Sequence, residues 1–276
     1  MTETISDTTD TTGHSTDTGS CRLCAGSLSS RFSLEVLRQH KVAYYACDCC
    51  HSLQTETPYW LHEAYAKNLA SLDTGALQRN INNFVVCYAI ARLFDVRTAV
   101  DYGGGDGLLC RFMRDHSFDC YTHDKFASPS YAQGFAAPPA LRPDLLTAFE
   151  VLEHLAHPST ELQEIFSFAP KYLLVSTDLY TGQGPDWWYL APDAGQHVFF
   201  YSPQAITMIA QRFGYSVAQA GAQLLFLRKD VPDAASKIVL AKEVLQGWIF
   251  QAIKSYVFLL PTPGVASDFD LVGKRR

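Results

Sequence analysis

Glycines and aspartates dominate the stretch VDYGGGDGLLCRF, residues 100–112. The spacing is Asp101-x-Gly103-x-Gly105-x-Gly107, after a strand-like segment and before a helix-like one. Glycine lets the backbone turn sharply and lets a ligand touch the main chain. The N-terminus of the following helix presents free N–H groups. This pattern predicts a turn that binds a small-molecule cofactor.

The spacing and the acids favour one kind of cofactor over another. The third glycine follows the second by two residues, which departs from the G-x-G-x-x-G pattern of dinucleotide-binding loops. Asp101 suits a cationic amine better than a pyrophosphate, so a zwitterionic sulfonium ligand fits this turn. Asp124 ends the next strand-like segment, where its two carboxylate oxygens can accept both hydroxyls of a ribose.

The elements that must position these residues alternate along the chain. Strands are predicted at 98–102, 118–124, 144–149 and 171–177, helices at 107–116, near 159–168 and at 202–213, and a closing hairpin around Gly221. Alternating strands and helices predict an α/β fold with a mostly parallel sheet covered by helices. Residues 59–94 are predicted to be helical, and residues 235–258 to form one long amphipathic helix before an irregular end.

Three motifs in order carry a family resemblance: DYGGGDG, the HD that ends the second strand, and DLLTAFEVLEHLAHP at 144–158. Over residues 80–230 the chain resembles class I S-adenosylmethionine-dependent methyltransferases. The resemblance implies a Rossmann-like fold of seven strands with helices on both faces. Residues 125–143 leave little room for the usual helix and third strand, so no adenine contact is assigned. The implied cofactor residues are Asp101, Gly103 and Gly105 for the methionine part, Asp124 for the ribose, and Phe149 and Glu150 for the adenosine and methyl side.

Two C-x-x-C pairs, Cys21 with Cys24 and Cys47 with Cys50, lie near the N-terminus. Paired thiolates at this spacing are typical of a tetrahedral zinc site, which would be structural because no ligand position stays open. Cys49 or His51 is an alternative ligand, and unligated buried thiols are the alternative to a metal. Cys87, Cys110 and Cys120 lie on apolar faces and are predicted core residues.

A four-cysteine module before such a domain resembles the zinc-binding methyltransferases of bacterial sugar and polysaccharide pathways. Sugar C-methyltransferases of deoxysugar pathways share the layout but carry a further C-terminal domain, for which this chain is too short. We therefore expect methyl transfer to a small molecule, such as a nucleotide-linked or polymer-attached sugar. An RNA base methyltransferase and a non-catalytic cofactor-binding partner are the alternatives.

Residues 177–203, TDLYTGQGPDWWYLAPDAGQHVFFYSP, are predicted to form the loop that faces the acceptor. His197 is the candidate general base, since the ordinary pKa of histidine suits proton transfer near neutrality. A hydrogen-bonded structural role is its alternative. Glu150 and Tyr201 are the other catalytic candidates. The aromatic run 187–189 would either cover the acceptor or pack in the core.

Composition bounds the remaining expectations. The chain has 276 residues, is 47% hydrophobic and carries a formal charge of −6, which argues against a nucleic-acid surface. No signal peptide or membrane span is predicted, so a cytoplasmic location with reduced cysteines is expected. The C-terminal amphipathic helix offers a surface for a homodimer. The predicted organisation is a disordered tail (1–20), a zinc module (21–58), a methyltransferase domain (59–230) and a C-terminal helix and tail (231–276).

Overall fold

The computed structural model describes residues 19–66, 74–232, 234–245 and 248–274. The predicted disordered tail falls almost wholly outside these ranges. The strands are β1 (Leu28–Val36), β2 (His40–Cys47), β3 (Leu53–Thr55), β4 (Thr98–Tyr102), β5 (Asp119–His123), β6 (Leu145–Phe149), β7 (Tyr172–Ser176), β8 (Phe199–Phe200), β9 (Tyr215–Ala220) and β10 (Gln223–Arg228). The α-helices are α1 (Leu61–Ala66), α2 (Ala76–Leu93), α3 (Leu108–Asp115), α4 (Pro158–Ser167), α5 (Pro203–Phe213), α6 (Ala234–Leu245), α7 (Trp248–Val257) and α8 (Gly264–Gly273).

A mostly parallel sheet forms the centre of the fold, in the order β5-β4-β6-β7-β10-β9. Strands β5, β4, β6 and β7 are parallel, and the hairpin β9–β10 adds two antiparallel strands. The expected α/β fold is therefore present. The expected count of seven strands is wrong for the described residues, where this sheet has six.

The missing strand is replaced by a single bridge at the edge of the sheet. Ala136 forms an isolated parallel bridge with Thr122 of β5, and two backbone hydrogen bonds hold it there. The segment between β5 and β6 begins with a turn around Asp124, and too few residues remain for both a helix and a full strand. The shortness of this segment, which the sequence already indicated, is the physical reason for the difference.

The N-terminal cysteine module shares a second sheet with the rest of the chain. Its order is β1-β2-β3-β8, in which β3 pairs with Phe199 and Phe200 of β8. Arg22 reinforces this junction, since its guanidinium donates to the carbonyls of Ala156 at 3.1 Å and Val198 at 2.6 Å. The module thus packs directly on the segment that contains His197.

The C-terminal region differs most from expectation. The predicted helix over 235–258 corresponds to α6 and α7, and residues 246 and 247 between them lie outside the described residues. The predicted irregular end is wrong, because it contains helix α8. Asp268 of α8 forms a buried ion pair with Arg114 of α3, with an N–O distance of 2.7 Å. This pair fastens the last helix to the central domain. Across the described segments, no helix has both the length and the apolar character that a bilayer crossing requires.

Candidate active site and cysteine cluster

The glycine turn joins β4 to α3 at the carboxyl edge of the sheet. Gly103, Gly105 and Gly107 all have positive φ, which disfavours other residue types. Gly104 is required for another reason: a Cβ atom there would lie 2.6 Å from Asp101 Oδ2 and 2.8 Å from Thr122 Oγ1. At Gly105 an added Cβ would meet nothing within 4 Å, so this residue faces open space where a ligand can approach.

Asp101 lies under this turn as a buried carboxylate. Its Oδ1 accepts a hydrogen bond from Thr147 Oγ1 at 2.8 Å, and the side chain lines one of the cavities of the cleft. Burial raises the pKa of Asp101 to about 7, and the hydrogen bond from Thr147 opposes that rise. A cationic amine beside this carboxylate would stabilise its ionised form.

Asp124 connects the second strand to the glycine turn. Its Oδ2 accepts the Gly105 N–H at 3.0 Å, and its Oδ1 accepts the N–H groups of Phe126 and Ala127 at 2.8 Å each. The carboxylate therefore stands at the end of β5 beside the glycines, as the sequence predicts. It also orders the backbone on both sides of the cleft.

Two cavities meet at Gly103 and Glu150, and together they form the cleft. The first has a volume of about 300 Å³ and is lined by Asp124, Phe126 and Tyr65, among others. The second has about 550 Å³ and is lined by Asp101, the glycine turn, Phe149 and residues of α2. The structure thus brings together all six predicted cofactor residues: Asp101, Gly103, Gly105, Asp124, Phe149 and Glu150.

Glu150 occupies the junction of the two cavities in an unusual backbone conformation. Its φ is 53°, a left-handed value that is uncommon outside glycine and often marks a functional site. The Ser176 hydroxyl donates to Glu150 Oε1 at 2.6 Å and fixes the carboxylate. Burial raises the pKa of Glu150 above its ordinary value.

Glu153, His154 and His197 form a compact cluster beside Glu150. One ligand atom from each lies within 4.8 Å of the others. The rings of His154 and His197 meet edge to face, with centroids 4.9 Å apart. Glu153 and His154 lie in the turn before α4, so nothing local in the sequence indicates their convergence with His197, far along the chain.

Tyr189 holds two members of this cluster in place. Its hydroxyl donates to Glu153 Oε1 at 2.7 Å, and its carbonyl accepts from His197 Nδ1, also at 2.7 Å. Because Nδ1 then carries the proton, Nε2 of His197 has a free lone pair. Glu153 Oε2 is buried and has no hydrogen-bond partner among the described residues.

Burial dominates the electrostatics of the cluster. It raises the pKa of Glu153 to about 8, with a further contribution from the charge of Glu150. It lowers the pKa of His154 to about 3, helped by His197, and lowers that of His197 as well. All three shifts favour the uncharged forms of side chains removed from water.

The remaining predicted residues of the acceptor loop separate into core and surface. Tyr201 is completely buried and lines neither cavity of the cleft. Trp187 packs in the core beside the buried Tyr189, whereas the Trp188 side chain is 73% exposed. Of the two roles predicted for the aromatic run 187–189, core packing therefore applies to Trp187 and Tyr189. Tyr189 also makes the hydrogen bonds to the cluster.

Several cleft residues were not predicted from the sequence. Tyr65 of α1 stacks on Phe126 with ring centroids 5.5 Å apart, at the mouth of the first cavity. Gln196 lines the same cavity, and Arg79 of α2 lines the second. Phe126 could have been predicted, because it follows Asp124 by only two residues. No local signal marked the others, because α1 and α2 reach the cleft only through the tertiary fold.

The four cysteines of the two C-x-x-C pairs converge at the base of the N-terminal module. All four sulfur atoms lie within 4.8 Å of one another, with Cys21 and Cys50 3.6 Å apart and Cys24 and Cys47 3.5 Å apart. A tetrahedral zinc with Zn–S bonds of about 2.3 Å has S–S edges of about 3.8 Å, so the cluster fits this ion. The side chain of Cys49 is exposed and is not part of the cluster.

Backbone groups also suit a metal-bound thiolate. The N–H groups of Cys49 and Cys50 donate to Cys47 Sγ at 3.3 and 3.4 Å. Gly26 allows the chain to pass close by, since an added Cβ would lie 2.7 Å from Cys49 Cβ and 3.0 Å from Cys47 Sγ. Cys87, Cys110 and Cys120 are buried in the core, as expected.

Comparison with protein families identifies the class of this chain. Residues 65–220 match a family model described as a methyltransferase domain. The match spans more than half of the chain and includes the glycine turn, Asp124 and the Glu150 region. The chain therefore belongs to this methyltransferase-domain family. It is an S-adenosylmethionine-dependent methyltransferase.

Solved structures resemble the chain over part of its length. They include an O-methyltransferase family protein from Burkholderia thailandensis, with 16% identity, TM-score 0.45, and 60% of this chain and 62% of that chain covered. Another is magnesium protoporphyrin IX methyltransferase from Synechocystis PCC 6803 with bound SAH, with 18% identity, TM-score 0.42 and coverage of 61% and 92%. A third is the methyltransferase domain of bacterial CtHen1, with 15% identity, TM-score 0.38 and coverage of 54% and 98%. The comparison with curated proteins gave no significant match.

Proposed function

We propose that this enzyme transfers the methyl group of S-adenosylmethionine to a small-molecule acceptor that enters beside Glu150 and His197. The junction of two cavities at Glu150 supports this arrangement more than any other observation. In the proposed pose, the adenosine part lies in the first cavity against Asp124, and the methionine part lies in the second above Asp101. The sulfonium methyl group then lies near Glu150.

The cofactor contacts follow from the chemistry of each group. Asp124 accepts from the ribose hydroxyls, and Asp101 accepts from the cationic amine. Gly103 and Gly105 expose the main chain to the ligand, while Phe149 and Glu150 close the side next to the methyl group. Phe126 and Tyr65 offer aromatic faces to the adenine.

The acceptor side is formed by the Glu153, His154 and His197 cluster. Methyl transfer requires an in-line approach of the acceptor atom and, for a hydroxyl, loss of its proton. His197 is proposed to promote that loss, since its Nε2 is free and its ring is oriented by Tyr189. Tyr201 is left out of the proposed acceptor site, because it is completely buried and is not part of the cluster around His154, which lines the first cavity.

A structural zinc in the N-terminal module completes the proposal. Its ligands are Cys21, Cys24, Cys47 and Cys50, and metal binding would supply much of the folding free energy of so small a module. The organisation into a zinc module (21–58), a methyltransferase domain (59–230) and a C-terminal region (231–276) remains part of this proposal. A cytoplasmic location is also part of this proposal, since cysteines that are thiols or metal ligands are typical of a reducing compartment.

The proposed acceptor is a nucleotide-linked or polymer-attached sugar. Cavities of a few hundred cubic ångströms suit a small molecule, and the mild acidic charge argues against an RNA surface. The N-terminal zinc module supports the sugar class through its resemblance to sugar-pathway enzymes. This part of the proposal is independent of the cofactor assignment.

A homodimer through the C-terminal helices is also proposed. Large apolar side chains are exposed there, among them Leu259 at 81% and Phe269 at 80%. Burying such side chains against a second copy would remove apolar surface from water. Light scattering should give twice the chain mass, and a Phe269→Ser variant should shift the mass to that of one chain. Wild-type protein with the mass of one chain at all concentrations would refute the dimer.

The experiment that tests the function uses methyl-labelled S-adenosylmethionine. The purified enzyme is incubated with separate pools of sugar nucleotides, RNA and protein. Label is expected in the sugar pool and should disappear with the His197→Ala variant. Label in RNA alone would show that the acceptor is a nucleic acid and not a sugar. Label in no pool, from protein that binds the cofactor, would favour a non-catalytic role.

A further inference from the structure

We propose that Glu153, His154 and His197 bind one divalent transition-metal cation, such as Mn²⁺, which activates an acceptor hydroxyl for methylation. This inference deepens the proposed function and rests on it for the identity of the reaction. It is separate from the four-cysteine cluster, which lies in the N-terminal module.

The donor set is two imidazoles and one carboxylate. Nitrogen and oxygen donors of these kinds suit first-row divalent cations, and three protein ligands leave positions open for a substrate. Ligand bonds of about 2.1 Å place neighbouring donors about 3–4 Å apart. The three side chains already have ligand atoms within 4.8 Å of one another. Small side-chain rotations would therefore complete the site.

The supporting contacts resemble those of metal-binding side chains. Metal-binding histidines usually donate their second ring nitrogen to a carbonyl or carboxylate, which fixes the tautomer. His197 Nδ1 makes this contact with the Tyr189 carbonyl and leaves Nε2 available. The Tyr189 hydroxyl fixes Glu153 through one oxygen, and the other oxygen is buried without a partner. One residue thus orients two of the three ligands.

The unpartnered oxygen of Glu153 requires an explanation. The Glu153 residue is completely buried, and among the described residues it takes part in no salt bridge with lysine, arginine or histidine within 4.0 Å. Burying a carboxyl group without a complete set of partners is costly. A bound cation supplies the missing partner and removes that cost.

The position of the cluster determines what the cation would do. His154 lines the first cavity, which meets the second at Glu150, whereas Glu153 and His197 lie behind His154 and line neither; the cluster thus borders the proposed methyl position through His154. A cation makes a coordinated hydroxyl more acidic. The acceptor hydroxyl gives its proton to water, and its oxygen forms a bond to the methyl carbon. The carbon–sulfur bond breaks, sulfur keeps the electron pair, and the sulfonium becomes a neutral thioether. His197 then acts as a ligand through Nε2.

The test measures binding of Mn²⁺ alone to the full-length protein, by the loss of its free electron paramagnetic resonance signal. The protein is first dialysed against a mild chelator, and its zinc content is checked. We expect one Mn²⁺ per chain and at least a tenfold weaker affinity in His154→Ala and in His197→Ala. Glu153→Gln keeps the shape of the buried side chain and should weaken binding too. His62→Ala is the matched control, since His62 is exposed and outside the cluster.

Two further measurements separate this inference from the proposed function. Circular dichroism verifies that each variant is folded, and calorimetry measures the affinity for S-adenosylhomocysteine. Equal Mn²⁺ binding by the wild type and all three cluster variants would overturn the cation site. Methyl transfer that persists at full rate after complete removal of divalent cations from the cluster would overturn it as well, while leaving the methyltransferase assignment intact. A wild-type protein that does not bind S-adenosylhomocysteine would instead contradict the proposed function.

Discussion

The proposed cofactor half and the proposed acceptor half of the cleft are assembled in different ways. The cofactor half contains Asp101, the glycine turn and Asp124, which lie at the ends of two adjacent parallel strands. The acceptor half contains Glu153, His154 and His197, and the last of these belongs to a segment that pairs with the N-terminal module. Local strand ends therefore place the cofactor residues, whereas a long-range contact places His197.

This difference implies that a mutation that disrupts the N-terminal module should affect the acceptor half of the cleft but not the cofactor half. The module pairs with β8 through strand β3, and Arg22 binds the carbonyl of Val198 directly before β8. The glycine turn is held instead by Asp124 and by the backbone of β5. Acceptor chemistry and cofactor affinity should thus respond separately to mutation.

The largest effect is expected from Cys24→Ser. Removing one thiolate should abolish binding of the proposed zinc and unfold the module, because metal binding would supply its folding free energy. Elemental analysis should change from one zinc per chain to none, and turnover should be lost with it. Cys110→Ser is the matched control, since that thiol is buried in the core away from the cluster. Wild-type protein without zinc, prepared in the absence of chelators, would end the idea.

His197→Ala should lower turnover by roughly 10²–10⁴-fold, the usual range for losing assistance to proton removal. Affinity for S-adenosylhomocysteine should change little, because the residue is in the acceptor half. Steady-state kinetics and calorimetry on the same preparation check both statements. A variant within a few-fold of the wild type would make His197 a structural residue.

Arg22→Ala tests the coupling between the module and the acceptor half. The guanidinium loses hydrogen bonds to the Ala156 and Val198 carbonyls, which should lower the free energy of unfolding by about 3 kcal/mol. Turnover should fall about tenfold as the neighbouring His197 loses its position, a fall that corresponds to about 1.4 kcal/mol. Denaturant titration and kinetics measure the two effects. If affinity for S-adenosylhomocysteine fell by the same factor as turnover, the independence of the cofactor half from the acceptor half would be contradicted.

The sequence predicted well where the residues of the proposed cofactor half lie, because its signals are local. Strand ends, glycines and acids follow one another within single motifs, and the bounds of β4 agree with the predicted segment 98–102. The acceptor half was only partly predictable. His197 could be singled out by residue type, but its partners Glu153 and His154 depend on the packing of a distant loop. Tyr189 looked like part of an aromatic run, and its two hydrogen bonds to the cluster have no sequence signature.

A smaller effect concerns the pH dependence of cofactor binding. Burial raises the pKa of Asp101 to about 7, so below that pH the carboxyl is largely protonated and attracts a cationic amine weakly. Affinity should rise with pH until about 7 and then level off, because above that pH the carboxylate is already ionised. Asp101→Asn should abolish the rise. A rise that persists in that variant would assign the titration to another group.

The most direct test of the central claim is calorimetric titration with S-adenosylhomocysteine and with NAD. We expect one S-adenosylhomocysteine site per chain, no NAD binding and full affinity in His197→Ala. In Asp124→Ala the binding free energy should be weaker by about 1–3 kcal/mol through lost ribose hydrogen bonds. Binding of NAD, or an Asp124→Ala variant with unchanged affinity, would contradict the cofactor half as described.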